Sequence, residues 1–206
     1  MSAHIKIKAM VLLVLLFGGP CAWARQPQID ITPFVGIRAG GTFQDEQMDE
    51  TLTVDEAQSY GLTVDMDYDA TGQVQLLWSR QSSEFKVPSS SAGKLHLDID
   101  YYHFGGTYSW SQDERYKPYV AFSVGATNFI PTDPGYSNEL RFSMGLGLGL
   151  KYFMTQHVGL VVEGRGYGTF LGSEGSIFCS GGNCRIRVAS ELFAQIEGRA
   201  GIVFRF

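Results

Sequence analysis

The sequence predicts an all-β chain, an eight-stranded antiparallel transmembrane β-barrel, and three observations carry that reading. The stretch from Glu197 to Phe206 alternates strictly, with Ala200, Ile202, Phe204 and Phe206 on one face and Glu197, Arg199 and Arg205 on the other. A strand has a period of two, so these sets point to opposite sides, as suits a wall with lipid on one side and a polar lumen on the other. Alternating segments of barrel length recur, eight in all. The connections between them are short and long in turn, the rhythm of barrels with tight turns at one end and loops at the other.

A leader comes first. Lys6 and Lys8 precede the apolar run from Ala9 to Phe17, which Gly18, Gly19 and Pro20 break before Ala22-Trp23-Ala24. A basic start, a short apolar stretch and an A-x-A site form a secretory signal peptide, so residues 1–24 are expected to be removed and 25–206 to form one barrel domain. The run is too short to span a bilayer as a helix. Pro20, where lipoprotein processing needs a small residue, argues against lipidation at Cys21. No later segment approaches the ~20 apolar residues of a membrane helix, so a membrane-spanning fold here must be a barrel.

The strands are justified in turn. The first runs from Ile29 to Phe43, with Ile29, Ile31, Val35, Ile37 and Phe43 against Arg38 and Thr42. The second, Tyr60 to Tyr68, alternates almost without fault. The third, about Gln73 to Glu84, turns Val74, Leu76 and Trp78 outward and is expected to turn Gln73, Gln75 and Arg80 inward. The fourth, about Lys94 to Trp110, sets Leu95, Leu97, Ile99 and Tyr101 against His96, Asp98 and Asp100. The fifth is about Tyr116 to Phe129. The sixth, Leu140 to Phe153, places seven apolar or aromatic residues opposite Arg141, Ser143, three glycines and Lys151. The seventh is Val158 to Phe170 and the eighth Glu191 to Phe206.

Long connections at 44–59, 83–93, 128–139 and 171–190 alternate with short ones at 69–72, 111–115 and 155–157. Both termini then lie at the short-turn, periplasmic end. Aromatic residues collect near strand ends, as at the headgroup interface, Phe34, Tyr60, Tyr102, Tyr116 and Tyr152 among them.

Removing the leader's two lysines takes the net charge from −5 to about −7. Nucleic-acid binding, which needs a basic footprint, is excluded. Cys179 and Cys184 flank Ser-Gly-Gly-Asn in an exported chain and are expected to form a local disulfide. No cofactor and no metal site are expected, because the two cysteines have no further ligands near them. The acidic residues of the first loop, from Asp45 to Glu56, read as a solvated face, since their spacing is not that of an EF-hand.

Enzyme motifs fail on context. Gly145-Leu-Gly-Leu-Gly149 and Gly164-Arg-Gly-Tyr-Gly168 lack nucleotide-loop spacing, and Ala121-Phe-Ser-Val-Gly125 lacks the first glycine and the helix of a nucleophile elbow. The glycines at 145, 147 and 149 are instead expected to clear lumen space, and those at 164, 166 and 168 to face lipid. His96 is expected inside, His103 outside and His157 in a turn, so no base stands beside a nucleophile.

The inward charges carry the mechanistic reading. Arg38, Asp65, Asp67, Arg80, Asp98, Asp100, Arg141, Lys151, Glu163, Arg165, Glu197 and Arg199 include both signs. An eight-stranded barrel is only wide enough for side chains to fill, and unpaired buried charge is costly. A paired network of Glu163, Arg165, Glu197, Arg199, Arg141, Lys151 and Arg38 is therefore expected to plug the lumen. Pairing the last two strands about Gly181 sets Arg165 opposite Glu197 and Glu163 opposite Arg199. The sixth strand would place Gly147 beside Glu163 and Gly145 beside Arg165.

With its alternating C-terminal strand ending in Phe206, the chain resembles the small outer-membrane β-barrels of Gram-negative bacteria, such as the OmpA transmembrane domain, OmpX and OmpW-like barrels. In that family the terminal aromatic strand is the signal read by the barrel-assembly machinery, and the resemblance assigns that part to Phe204 and Phe206. It implies a monomer in contact with outer-membrane lipid and lipopolysaccharide. The expected role is structural or surface-interactive, acting through the outer loops. A narrow channel or carrier for small or apolar solutes is the alternative, and a lipid A-modifying enzyme is third.

Overall fold

A computed structural model describes residues 27–45, 50–53, 56–85, 95–111, 113–131, 138–171, 176–180, 183–187 and 192–206. The expected leader and its cleavage site lie outside them. The strands are β1 (Ile29–Gly40), β2 (Thr42–Asp45), β3 (Glu50–Thr53), β4 (Ala57–Asp67), β5 (Gly72–Phe85), β6 (Leu95–Ser109), β7 (Tyr116–Pro131), β8 (Glu139–Phe153), β9 (Val158–Phe170), β10 (Ser176–Ser180), β11 (Asn183–Arg187) and β12 (Leu192–Arg205). Eight of them close an antiparallel barrel in the order β1-β12-β9-β8-β7-β6-β5-β4. Closure leaves no unpaired edge, which a lipid-embedded sheet cannot tolerate.

The first strand is shorter than its alternation suggests. Gly40 and Gly41 have φ of 88° and 99°, a left-handed backbone open chiefly to glycine. The chain leaves the barrel there, and β2 pairs with β3 as a separate hairpin. A second hairpin, β10 with β11, stands within the longest connection. Both belong to the end where the long connections cluster, called here the loop end.

The opposite, turn end is tied by side chains. Asp69 accepts hydrogen bonds from the backbone N–H groups of Thr71 and Gly72, each at 2.7 Å. Those two N–H groups, Thr71 first, hold its carboxyl below the usual range. Thr155 Oγ1 likewise accepts from the N–H groups of His157 and Val158 at 3.3 and 3.0 Å.

Facing follows parity along every strand. On β8, β9 and β12 the apolar set is exposed and the polar set buried. Gly164 and Gly198 face outward, with no atom within 4 Å of a Cβ built on either. Two expectations fail. On β6 the inward residues are Leu97, Ile99, Tyr101 and His103, all buried, whereas Tyr102, Phe104 and Tyr108 are exposed on the outer wall. Arg80, Asp98 and Asp100 consequently belong to the outward set. Arg80 shares its parity with Val74, Leu76 and Trp78, which fixes its side. An outward Asp100 is tolerated because Arg80 covers it with two hydrogen bonds of 2.6 Å and Tyr102 donates a third at 3.2 Å. The aromatics divide as well. Tyr60, Tyr68, Trp110, Tyr116 and Phe206 are exposed, but Phe34, Tyr101, Tyr119 and Phe153 fill the interior.

Candidate functional site: the barrel lumen

Among the described residues the barrel interior carries buried side chains in successive layers, and their chemistry changes along the axis. At the loop end Leu97, Ile99, Phe129, Leu171 and Phe193 are fully buried. Phe129 and Phe193 meet edge to face, with ring centroids 5.5 Å apart. These residues form an apolar stopper under the loops.

Next comes an aromatic layer. Tyr101 stacks on Tyr167 at 4.2 Å, and the His103 ring stands edge-on to both. Ser123 Oγ lies 2.9 Å from His103 Nδ1 and Ser143 Oγ 2.9 Å from Nε2. The sequence placed His103 outside and found no histidine beside a hydroxyl. The structure places it inside, between two serines contributed by β7 and β8.

Below this layer runs a continuous polar ladder. Arg38 donates to Glu197 at 2.8 Å and to the Ser79 hydroxyl. Tyr167 donates to the other Glu197 oxygen at 2.8 Å. Arg199 spans the two glutamates, with Nη1 4.0 Å from Glu197 and Nη2 2.8 Å from both oxygens of Glu163. Glu163 also accepts from Arg165 Nε and from the Tyr119 hydroxyl, each at 2.5 Å. Arg165 donates onward to Gln75 at 2.6 Å, and Gln75 to Asp65 at 2.7 Å. Lys151 lies 3.1 Å from both Asp65 and Asp30, and Arg205 grips Asp30 with bonds of 2.7 and 2.8 Å.

The ladder alternates in sign and carries five cations against four carboxylates. Ring faces offset part of the excess. The Arg38 Cζ lies 4.7 Å from the Tyr101 centroid and 5.2 Å from that of Tyr167, Arg199 lies 4.3 Å from Phe34, and Arg205 lies 3.8 Å from Phe153. Such contacts gain strength when water is excluded. A void of about 10 Å3 lies among Thr32, Asp65, Tyr119, Lys151, Glu163 and Arg199, room for about one water molecule.

The register explains how the ladder is assembled. On the seam that closes the barrel, Arg38 is directly opposite Glu197 and Asp30 directly opposite Arg205. On the other side of β12, Glu197 faces Arg165 and Arg199 faces Glu163. Arg165 does not bond Glu197, because Arg38 and Tyr167 occupy that carboxylate. On β8, Arg165 lies beside Gly147 and Glu163 beside Gly149, two residues away from the expected pairing. The space is nonetheless needed, since a Cβ on Gly147 would stand 2.8 Å from Glu163 Oε1. Arg141 lies apart from the ladder at the loop end, where it bonds Glu139 at 3.3 Å.

Sequence reasoning missed Asp30, Arg205, Gln75 and Tyr119 as ladder members. Parity was the available signal for two of them. Asp30 shares the even register of Arg38, and Arg205 the odd register of Glu197. The backbone sets Cys179 directly opposite Cys184 in the β10–β11 hairpin, while their side chains lie outside what the structure describes. Phe204 and Phe206 are exposed on the outer wall at the turn end.

Neither a protein-family model nor a curated protein sequence matches the chain. Solved structures do. Neisserial surface protein A is similar with a TM-score of 0.58 and 12% identity, over 87% of this chain and 97% of that one. The outer-membrane protein AlkL, solved in lipid bilayers, gives 0.55 and 15%, over 91% and 94%. OprG of Pseudomonas aeruginosa gives 0.53 and 13%, over 88% and 96%. With these neighbours, its strand number and its closure, the chain has the fold of the small eight-stranded outer-membrane β-barrels.

Proposed function

We propose that the protein is an integral barrel of the bacterial outer membrane that acts as a rigid mount for its long loops, which meet partners outside the cell. The observation that supports this reading is the ladder of alternating charges below the buried apolar residues of the loop end, where the void among Thr32, Asp65, Lys151, Glu163 and Arg199 holds about 10 Å3. In this reading residues 1–24 are a cleaved signal peptide, and both termini lie in the periplasm. Lipid and lipopolysaccharide surround a monomer, Cys179 and Cys184 are bonded in the last loop, and Phe204 and Phe206 are presented to the assembly machinery. Planar-bilayer recording of the refolded protein tests the plug. No steps above lipid alone are expected, and a steady open conductance would overturn it.

One observation favours the second reading, a carrier of small apolar solutes. The inward residues at the loop end, Leu97, Ile99, Phe129 and Phe193, are themselves apolar and fully buried, and in this reading they part to let such a solute through. Uptake of an apolar probe into proteoliposomes, against empty liposomes, separates the two readings. Enzyme chemistry has less support. Both ring nitrogens of His103 are engaged by serines inside the lumen, away from the wall where a lipid would be met. Unaltered lipid A on mass spectrometry of expressing cells is the expected result.

A further inference from the structure

At the turn end the lumen opens into a cup of about 550 Å3. Four basic side chains line it, Arg115, Lys117, His157 and Arg205, together with one acidic side chain, Glu114, and the ring of Phe153. The charges there are unevenly partnered. β7 and β8 set Lys117 directly opposite Lys151, and both side chains lie on the inward face. Like charges facing each other across two strands repel. Lys151 resolves this by turning to Asp30 and Asp65, at 3.1 Å each.

Arg205 takes both oxygens of Asp30, and Asp67 accepts from Gln73 at 2.7 Å. Asp30 and Asp65 are thus held by cations, whereas Asp67 is bonded only by a neutral amide and attracts Lys117 through space. Lys117 is half-buried, and its ammonium has no acceptor among the described residues. A partly desolvated ammonium without an acceptor attracts an anion. Arg115, two residues before Lys117, adds a second charge to the same cup.

We propose that this cup binds a small oxyanion, a phosphate or a carboxylate, with Lys117 as its main partner and Arg115 as the second. The cup has room for the anion and part of its hydration. Its floor, Arg205 stacked on Phe153, is already fixed by Asp30. The occupant therefore adds to a finished barrel and is not needed to hold it closed.

The test uses the refolded barrel in an uncharged maltoside, which brings no phosphate of its own. Sodium phosphate and sodium citrate are titrated separately into 15N-labelled protein, with sodium chloride at matched ionic strength as control. Saturable amide shifts confined to residues 114–117 and 155–157 are expected with at least one of the two anions. The tighter of the two names the source, phosphate or carboxylate. K117Q should weaken the apparent affinity about tenfold, as loss of one charge-assisted hydrogen bond implies. K117R should retain most of it, and R80Q on the outer wall should retain all of it. Shifts that follow ionic strength equally in chloride, or a K117Q variant that binds like the parent, would overturn the proposal. Should K117Q lose its dispersed spectrum, R115Q and K117R carry the same comparison.

Discussion

Glu163 ties three other residues together. Tyr119, Arg165 and Arg199 all donate to its carboxylate, and it is buried. Removing it strands two guanidinium groups in a space without bulk water, a change that typically costs about 3–5 kcal/mol. We expect Glu163→Ala to lower the urea midpoint of the vesicle-inserted barrel far more than any loop substitution, Asp49→Ala for instance. Arg199→Ala should follow closely, because it leaves part of both Glu163 and Glu197 uncovered. A Glu163→Ala midpoint within error of the parent would mean that water reaches the ladder. Side-chain facing was largely legible in the sequence, because parity is a local property of a strand. Arg38, Glu163, Arg165, Glu197 and Arg199 could be read as inward from their apolar neighbours alone. Who bonds whom was not legible. Arg165 is opposite Glu197 yet bonds Glu163 and Gln75, since Arg38, arriving across the seam, already holds that glutamate. The two serines that meet His103 come from strands 20 and 40 residues away, which no local pattern announces.

Single elements show where the pattern misleads. β6 begins with a clean apolar alternation, Leu97, Ile99 and Tyr101, that in isolation reads as a lipid-facing set. It faces inward, where it is buried with Phe129 and Phe193, while the neighbouring β5 supplies Arg80 to neutralise the outward Asp100. The sign of an alternation is thus decided by adjacent strands and by height in the wall. The β2–β3 hairpin was hidden in what looked like a long first strand, and two positive-φ glycines are the reason it separates. The β10–β11 hairpin sets Cys179 opposite Cys184. We expect a disulfide there, worth about 2 kcal/mol to the loop in the chain-entropy account. Thiol titration of protein purified without reductant should find it oxidised, and Cys179→Ser should loosen the hairpin without lowering barrel stability. For β12, deletion of Phe206 removes an exposed ring from the turn end. Slower insertion in pulse-chase experiments, with degraded or periplasmic protein accumulating, is the expected phenotype. Normal assembly of that deletion at low expression would count against the terminal aromatic strand as the signal.

At the scale of the molecule, every barrel strand is paired on both sides and the interior is bonded across its width. Such a structure opens only as a whole. We expect the unheated protein to migrate apart from the boiled protein on detergent gels and to fractionate with outer membranes. A single gel position under both conditions would argue against a closed wall. The order of charges along β12 adds a constraint on how that wall can close. Slide β12 by two residues in one sense, and Arg199 replaces Glu197 opposite both Arg38 and Arg165, three guanidinium groups in one layer. Slide it the other way, and Glu197 comes to rest opposite Glu163 while Arg38 faces an uncharged Gln195. The next in-phase registers on either side are therefore self-repelling, and only the observed one alternates in sign across three strands. A backbone ladder is indifferent to such slips, and the outward aliphatic wall nearly so. The lumen charges thus act as a checksum on β12, favouring the one register in which the closed barrel alternates in sign.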